Sequence, residues 1–136
     1  MITYLCPNLS TPERVNAALR VIDCFEKQMH CPVMMDEHVS QQLFGNGSRA
    51  GDVSQASLIV SVGGDGSVLR AAQVAVRANL PLLGINSGRL GYLCALELNE
   101  LSSFDSERLH GLWAEYRTML SIELNGKSFL ALNIQR

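Results

Sequence analysis

The sequence has few of the features that assign a chain to a class at first sight. No apolar stretch approaches the roughly 20 residues needed to cross a membrane, and the first residues lack the basic segment of a secretory leader. The four cysteines form no C-x-x-C pair, which argues against a zinc site or a disulfide framework. The net charge is only −2, so we expect no general attraction to nucleic acid or to anionic membranes. These absences favour a cytoplasmic protein with reduced cysteines, in which a local site must hold any anionic ligand.

The composition is that of an ordinary globular domain. The 136 residues are 47% hydrophobic and 18% charged, which suffices to bury a core without disulfides or metals. Short apolar runs alternate with segments of helical periodicity, and strand–helix–strand units imply parallel strands. The predicted strands are Ile2–Cys6, Val33–Met35, Leu58–Val62 and Leu80–Ile85, and the predicted helices begin at Pro12, at Glu37 and at Val68. The helix that begins at Val68 is apolar nearly all round, so we expect it to be buried.

The last third of the sequence follows a different pattern. Leu93–Leu112 is predicted to be mostly helical, whereas the residues after it have an apolar period of two. Tyr116–Leu124 and Ser128–Ile134 flank the dipeptide Asn125-Gly126, which is a strong signal for a β-hairpin.

These patterns predict the fold class and the domain organisation. We expect an α/β domain over residues 1–112, with a Rossmann-like parallel sheet and flanking helices. We expect residues 113–136 to form an antiparallel β-hairpin that begins a second, β-rich domain and leaves it incomplete. Because an isolated hairpin is marginally stable in water, it should either self-associate or pack against the α/β core.

A glycine-rich segment after the most apolar predicted strand carries the main functional signal. Its sequence, Gly63-Gly64-Asp65-Gly66-Ser67, links that strand to a predicted helix, and ligands bind where the strands of a parallel sheet end. Glycines let a phosphate approach the backbone, and their N–H groups together with the helix N-terminus form an anion cradle. A carboxylate in such a cradle is productive if it accepts a proton from an attacking hydroxyl or holds Mg²⁺. Both roles indicate phosphoryl transfer to an alcohol.

Simpler interpretations of these residues stay open. Asp65 and its glycines could form only a tight turn, with Ser67 capping the helix instead of contacting a phosphate. Arg70 could reach back to a phosphate or lie in solvent. Gly45–Ala50 fits the loose dinucleotide-binding pattern, but we reject it because it lies in a polar loop. No lysine follows a glycine-rich loop at the spacing of a P-loop, so backbone and metal would have to hold a phosphate donor.

The motifs of this sequence and their order along the chain resemble those of the ATP-dependent NAD kinase family. Gly63–Ser67 resembles its GGDGT signature, with serine in place of threonine. Asn86–Leu93 resembles its second signature, NxGxLGF, with Tyr92 in the aromatic place. Tyr116–Leu120 resembles the strand that enters the family's β-rich domain, and Ala131–Asn133 resembles the start of its third signature.

The resemblance implies a reaction and a role for each matching residue. Asp65 would be the base that takes the proton from the 2′-hydroxyl of the adenosine ribose of NAD. The phosphoryl donor would be ATP, or polyphosphate, with Mg²⁺, and the protein would be a homo-oligomer. The residues implied to lie along the phosphates are Gly63, Gly64, Gly66 and Ser67, and those implied to border or bind the dinucleotide are Leu69, Arg70, Asn86, Tyr92, Leu93 and Asn133.

Two features depart from the family pattern. Ile134 stands where the family has an acid after Asn133, and the sequence ends at Arg136, before a complete β-rich domain. Two alternatives to a NAD kinase therefore stay open: a truncated, non-catalytic module for nucleotide binding or assembly, and a lipid or sugar kinase that shares the GGDG loop. Tyr92 as a core aromatic and Asn133 as a plain hairpin residue also stay open.

Overall fold

The computed structural model describes residues 1–88 and 91–111, together with the backbone of residues 119–124 and 127–132. Within these residues, no helix is both long enough and apolar enough to cross a membrane. The elements in chain order are β1 (Thr3–Pro7), α1 (Pro12–Asp23), a π-helical turn (Cys24–Gln28), β2 (Val33–Met35), α2 (Glu37–Phe44), a 3₁₀ turn (Val53–Gln55), β3 (Leu58–Gly63), α3 (Asp65–Ala78), β4 (Leu82–Asn86), β5 (Leu96–Glu97), a second 3₁₀ segment (Leu98–Ser103), α4 (Ser106–His110), β6 (Met119–Leu124) and β7 (Lys127–Leu132).

Strands β1 to β5 form one parallel sheet in the order β2-β1-β3-β4-β5. The predicted α/β class with a parallel sheet and flanking helices is confirmed. Strand β3 lies in the middle, and all six of its residues are buried, as expected for a parallel strand covered on both faces. Its last residue, Gly63, is paired with Asn86 at the end of β4. The loops that follow these two strands therefore leave the sheet side by side.

The larger of two cores lies between the sheet and α1. The rings of Phe25 and Phe104 are buried there with their centroids 6.3 Å apart, so they join the turn after α1 to the segment after β5. The strand residues buried in this core are Leu5, Val33, Met35, Leu58, Val60, Val62, Leu83, Ile85 and Leu96. On the opposite face, the smaller core joins Ile59 to Ala71 and Ala75 of α3.

The prediction that Leu93–Leu112 is mostly helical is wrong for the first part of that segment. Leu96 and Glu97 instead form β5, in parallel register with the last two residues of β4. Pairing with the sheet prevails because it buries Leu96, which is 3% exposed. The extended backbone of Phe104 then separates the 3₁₀ segment from α4, and Leu112 lies outside the described residues.

The prediction for α3 needs two corrections. The helix begins at Asp65 rather than at Val68, with Gly64 at the N-cap position, so residues predicted as a loop form its first turn. An acidic residue in the first turn of a helix is favoured by the helix dipole. The helix is also not buried all round, because Leu69 and Val76 are 40% and 47% exposed.

The antiparallel pair expected near the end of the chain is confirmed, with Met119 opposite Leu132 at the open end of β6 and β7. The predicted turn at Asn125-Gly126 lies outside the described residues. Strand β7 lies beside α3, with Cα atoms within 8 Å, which fits the expectation that the hairpin packs against the α/β core. The division into residues 1–112 and 113–136 stays a prediction.

Replacing Phe104 tests the contact between α1 and the segment after β5. Because the ring is 1% exposed, Phe104→Ala should lower the free energy of unfolding by about 3–5 kcal/mol, measured by urea denaturation followed by circular dichroism. The control is Val76→Ala on the exposed side of α3, which should change it by less than about 0.5 kcal/mol. Equal effects of the two substitutions would contradict the placement of Phe104 in the core.

Candidate functional site

The candidate site lies where the order of the sheet reverses. The chain passes from β1 to β2 on one side and later returns to the other side of β1 to form β3, so the connections after β1 and β3 open a crevice between them. The backbone N–H of Asn8 donates to the carbonyl of Val62 over 2.8 Å, which holds the first connection beside the glycines. The predicted signature Gly63–Ser67 therefore stands where parallel sheets bind their ligands.

Gly63 cannot be replaced by a larger residue without moving its neighbours. Its φ is +154°, and a Cβ placed on it would collide with Oγ of Ser67, lie 2.9 Å from Cβ of Ser67 and 3.2 Å from Cβ of Asn8. A side chain at Gly64, in contrast, would meet nothing within 4 Å. The first glycine is thus required by packing, whereas the second leaves open space above the backbone.

The N-terminus of α3 faces that open space. The carbonyl of Gly64 accepts the first helical hydrogen bonds, from the N–H groups of Ser67 (3.1 Å) and Val68 (3.2 Å). The backbone N–H groups of Asp65 and Gly66 come before the first helical hydrogen bonds. N–H groups at this position of a helix N-terminus bind anions. The sequence predicts that this backbone lies along a phosphate, and that role stays a prediction.

Ser67 lies on the first turn of α3 and Arg70 on the second, in an arrangement that the sequence predicted only in part. Ser67 does not cap the helix, because Gly64 holds the N-cap position; its hydroxyl is buried and accepts a hydrogen bond from Nη2 of Arg70 over 3.3 Å. Arg70 is exposed, yet its guanidinium bends back, with Nη1 3.6 Å from the Cβ position of Gly66. A cation therefore stands beside the anion cradle.

The carboxylate of Asp65 is held by the loop that follows β4. Its Oδ1 accepts from the backbone N–H groups of Tyr92 and Leu93, each over 3.0 Å, and its Oδ2 accepts from that of Tyr92 over 3.1 Å. A Cβ on Gly91 would lie 2.7 Å from Oδ1, so only a glycine there lets the loop approach this closely. Because a carboxylate offers about four lone-pair sites, Oδ2 keeps room for a hydroxyl or a cation.

Two exposed apolar side chains flank this carboxylate. Leu69 follows it on α3 and is 40% exposed, and Tyr92 is 74% exposed. The alternative in which Tyr92 is a core aromatic is therefore wrong. Leu93 is half-buried beside it, and Asn133 lies outside the described residues. An exposed ring and an exposed leucine offer a surface on which a flat organic ligand can pack.

Asn86, at the buried end of β4, supports the start of the same loop. It is 2% exposed, and its Nδ2 donates to both carboxylate oxygens of Glu97, over 3.2 and 3.0 Å, while its Oδ1 accepts from the N–H of Gly88 over 3.3 Å. Sequence reasoning missed Glu97 because that residue falls within the helix predicted over Leu93–Leu112. The pairing of β4 with β5 sets Glu97 opposite Asn86. No local sequence pattern predicts that pairing.

Cys94 lies one residue beyond this loop, near two carboxylates. Burial, together with the smaller effects of the negative charges of Asp65 and Glu97, raises the pKa of its thiol to about 11. The thiol is therefore protonated at neutral pH, although its side chain is only half-buried.

Alkylation rates test this electrostatic environment. Since thiolate is the reactive form, Cys94 should react with iodoacetamide at pH 8 about 100-fold more slowly than an ordinary thiol, and faster as pH approaches 11. Mass spectrometry of timed samples measures the rate, with the urea-unfolded chain as reference. Equal rates for Cys94 in the folded and unfolded chain would contradict the negative surroundings of the thiol.

The neighbouring glycines Gly63 and Gly64 form a matched pair for mutation. Gly63→Ala should lower the free energy of unfolding by about 2 kcal/mol or more, because the new Cβ collides with Ser67 at a positive φ. Gly64→Ala should cost less than about 1 kcal/mol, because its Cβ meets open space. Urea denaturation of the two variants measures the difference, and similar losses would show that the two positions are not distinguished by packing.

The chain is similar to known proteins over most of its length. A family model described as the ATP-NAD kinase N-terminal domain matches residues 8–110. NAD kinases are similar in sequence: that of Alcanivorax borkumensis is 34% identical over 85% of this chain and 40% of its own length, that of Coxiella burnetii 38% over 76% and 36%, and that of Methanoregula boonei 32% over 90% and 44%. The chain thus spans about 40% of the length of these relatives.

The fold is also similar to that of a solved structure, yeast NADH kinase complexed with NADH. The TM-score is 0.65 at 16% sequence identity, over 97% of this chain and 46% of that one. A likeness at this level of identity concerns the fold alone. The family model covers well over half of the chain and includes the crevice, the glycine signature and the loop that holds Asp65, and on that ground the chain belongs to the NAD kinase family.

Proposed function

We propose that this chain carries the phosphoryl-transfer centre of a NAD kinase. The reaction moves the terminal phosphoryl group of ATP, or of polyphosphate, to the 2′-hydroxyl of the adenosine ribose of NAD and forms NADP. The observation that supports this most is the carboxylate of Asp65 at the N-terminus of α3, held by the N–H groups of Tyr92 and Leu93. A base fixed beside an anion cradle stands where an attacking hydroxyl and a phosphate can meet.

In this proposal Asp65 accepts the proton of the 2′-hydroxyl, at Oδ2, while the loop bonds keep the carboxylate in place. The backbone N–H groups at the start of α3 stabilise the charge on the transferred phosphoryl group. Asn86 orients the loop from beneath. The residues proposed to lie along the phosphates are Gly63, Gly64, Gly66 and Ser67, and those proposed to border or bind the dinucleotide are Leu69, Arg70, Tyr92, Leu93 and Asn133.

Mg²⁺ fits this site as a partner of the donor phosphates. Within the described part of the chain, no three His, Cys, Asp or Glu side chains come together as a metal-binding group. In phosphoryl transfer, however, Mg²⁺ is usually held by one or two carboxylates together with phosphate oxygens and water. Oxygens of the donor phosphates and water would hold the ion, near the carboxylate of Asp65, and the bound ion would neutralise charge on the donor phosphates.

Other parts of the proposal rest on family membership. The relatives are named NAD kinases, and this chain spans about 40% of their length. We therefore propose that a β-rich domain, of which residues 113–136 are the beginning, completes the dinucleotide site. We also propose a homo-oligomer that works in the cytoplasm. Family membership makes a NAD kinase a better account of the GGDG loop than a lipid or sugar kinase.

The substitution Asp65→Asn tests the base. The amide oxygen can still accept hydrogen bonds from the loop, but the group can no longer take a proton. With NAD, ATP and Mg²⁺, NADP formation by the 136-residue chain should fall by about 10²–10⁴-fold. The matched control is Asp23→Asn, which removes an exposed carboxylate that forms an ion pair with Lys27 at 3.5 Å and should leave the rate unchanged.

Two outcomes would contradict the proposal in different ways. NADP formation unaffected by Asp65→Asn would exclude this residue as the base. Binding of NAD or ATP by the wild-type chain in titration calorimetry, with no NADP formed, would instead favour the non-catalytic nucleotide-binding module.

A further inference from the structure

Arg14 is a half-buried cation at the edge of the crevice. It is the third residue of α1, whose N-terminus faces the loops that follow β3 and β4. Its Nη2 lies 3.4 Å from the Cβ position of Gly88 and its Cζ 3.9 Å from the same point. The planar guanidinium therefore lies close to the glycine backbone of the loop after β4.

One nitrogen of this guanidinium, Nη1, is buried without a hydrogen-bond partner in the described part of the chain. The half-buried Arg49 is instead paired with Glu26, and Arg108 is paired with Glu100 over 2.9 Å. Removing a charge from water without a hydrogen-bond partner is costly, so the position of Arg14 indicates an anion that the described residues do not supply.

Ser87 provides an independent second observation at the same place. Its Oγ is also buried without a hydrogen-bond partner among the described residues. Its backbone N–H donates to the carbonyl of Gly63 over 2.9 Å, so Ser87 lies at the end of β4, beside the glycine signature and one residue before Gly88. Nη1 of Arg14 and Oγ of Ser87 are thus two buried donors without partners among the described residues, on side chains that adjoin the same glycine along the chain or in space.

We propose that Arg14 and Ser87 bind a phosphate group of a nucleotide, on the α1 side of the crevice. The guanidinium fork matches the oxygens of a phosphate with two parallel hydrogen bonds, and the N-termini of α1 and α3 both favour negative charge there. This inference rests on the proposed function for the identity of the nucleotide. The phosphate belongs either to the triphosphate donor or to the pyrophosphate of the dinucleotide.

Binding to the 136-residue chain tests this proposal without any need for turnover. Inorganic triphosphate, ATP and NAD are titrated separately by calorimetry into the wild-type chain and into Arg14→Gln, Ser87→Ala and Arg14→Lys. Arg14→Gln should weaken binding by about tenfold or more, and Arg14→Lys should weaken it less, because lysine keeps the charge but loses the fork. The control is Arg20→Gln, an exposed arginine further along α1, which should change affinity by less than about twofold.

The three ligands separate the two sources of the phosphate. Weaker binding of triphosphate and ATP, with NAD unchanged, supports the donor; weaker binding of NAD alone supports the dinucleotide. The proposal is overturned if the wild-type chain binds none of them, or if Arg14→Gln binds all three as tightly as the wild type. A failure of Asp65→Asn to change NADP formation would leave these affinities unaffected, so the two proposals fail separately.

Thermal unfolding distinguishes ligand binding from a purely structural role. Because Arg14 makes no side-chain hydrogen bond with the described residues, Arg14→Gln should not lower Tm in the absence of ligand, but it should reduce the rise in Tm that saturating ATP or NAD produces. A lower Tm of the ligand-free variant, together with an unchanged ligand-induced rise, would assign Arg14 to the fold and overturn its binding role.

Discussion

The hydrogen bonds from the loop after β4 to the carboxylate of Asp65 are the interaction on which the candidate site depends. One short side chain joins the start of α3 to the N–H groups of Tyr92 and Leu93. Hydrogen bonds to a charged group contribute about 1.5–3 kcal/mol each, so this contact is strong enough to fix Tyr92 and Leu93 beside the start of α3. The same carboxylate is the one proposed to accept the proton, so one group serves both the local structure and the chemistry.

The glycines of the site serve two separate physical needs. Gly63 and Gly91 are required because a Cβ on either would strike a neighbouring side chain, the hydroxyl of Ser67 in one case and the carboxylate of Asp65 in the other. Gly64 has open space instead, and it leaves the N-terminus of α3 accessible to a phosphate. The signature thus combines a closely packed glycine, Gly63, with a neighbouring glycine, Gly64, whose backbone is accessible.

The sequence alone was sufficient for the sheet, the glycine signature and the hairpin, because apolar runs and turn residues are local signals. It was not sufficient for β5 or for the first turn of α3. Leu96 and Glu97 become a strand only through pairing with β4, and the helix starts at Asp65 because Gly64 takes the N-cap position. The contacts of Asn86 with Glu97, and the placement of Arg14 beside Gly88, depend on residues far apart in the chain, which no local pattern reveals.

The shortness of β5 has a consequence for how the site keeps its shape. This edge strand contributes only two residues to the sheet, and Glu97 is both its last residue and the partner of Asn86. Edge elements with few buried contacts open locally at a lower free energy than the centre of a domain. Each such opening releases Asn86 and with it the support beneath the loop. The geometry around Asp65 therefore depends on the local stability of β5, a strand of two residues.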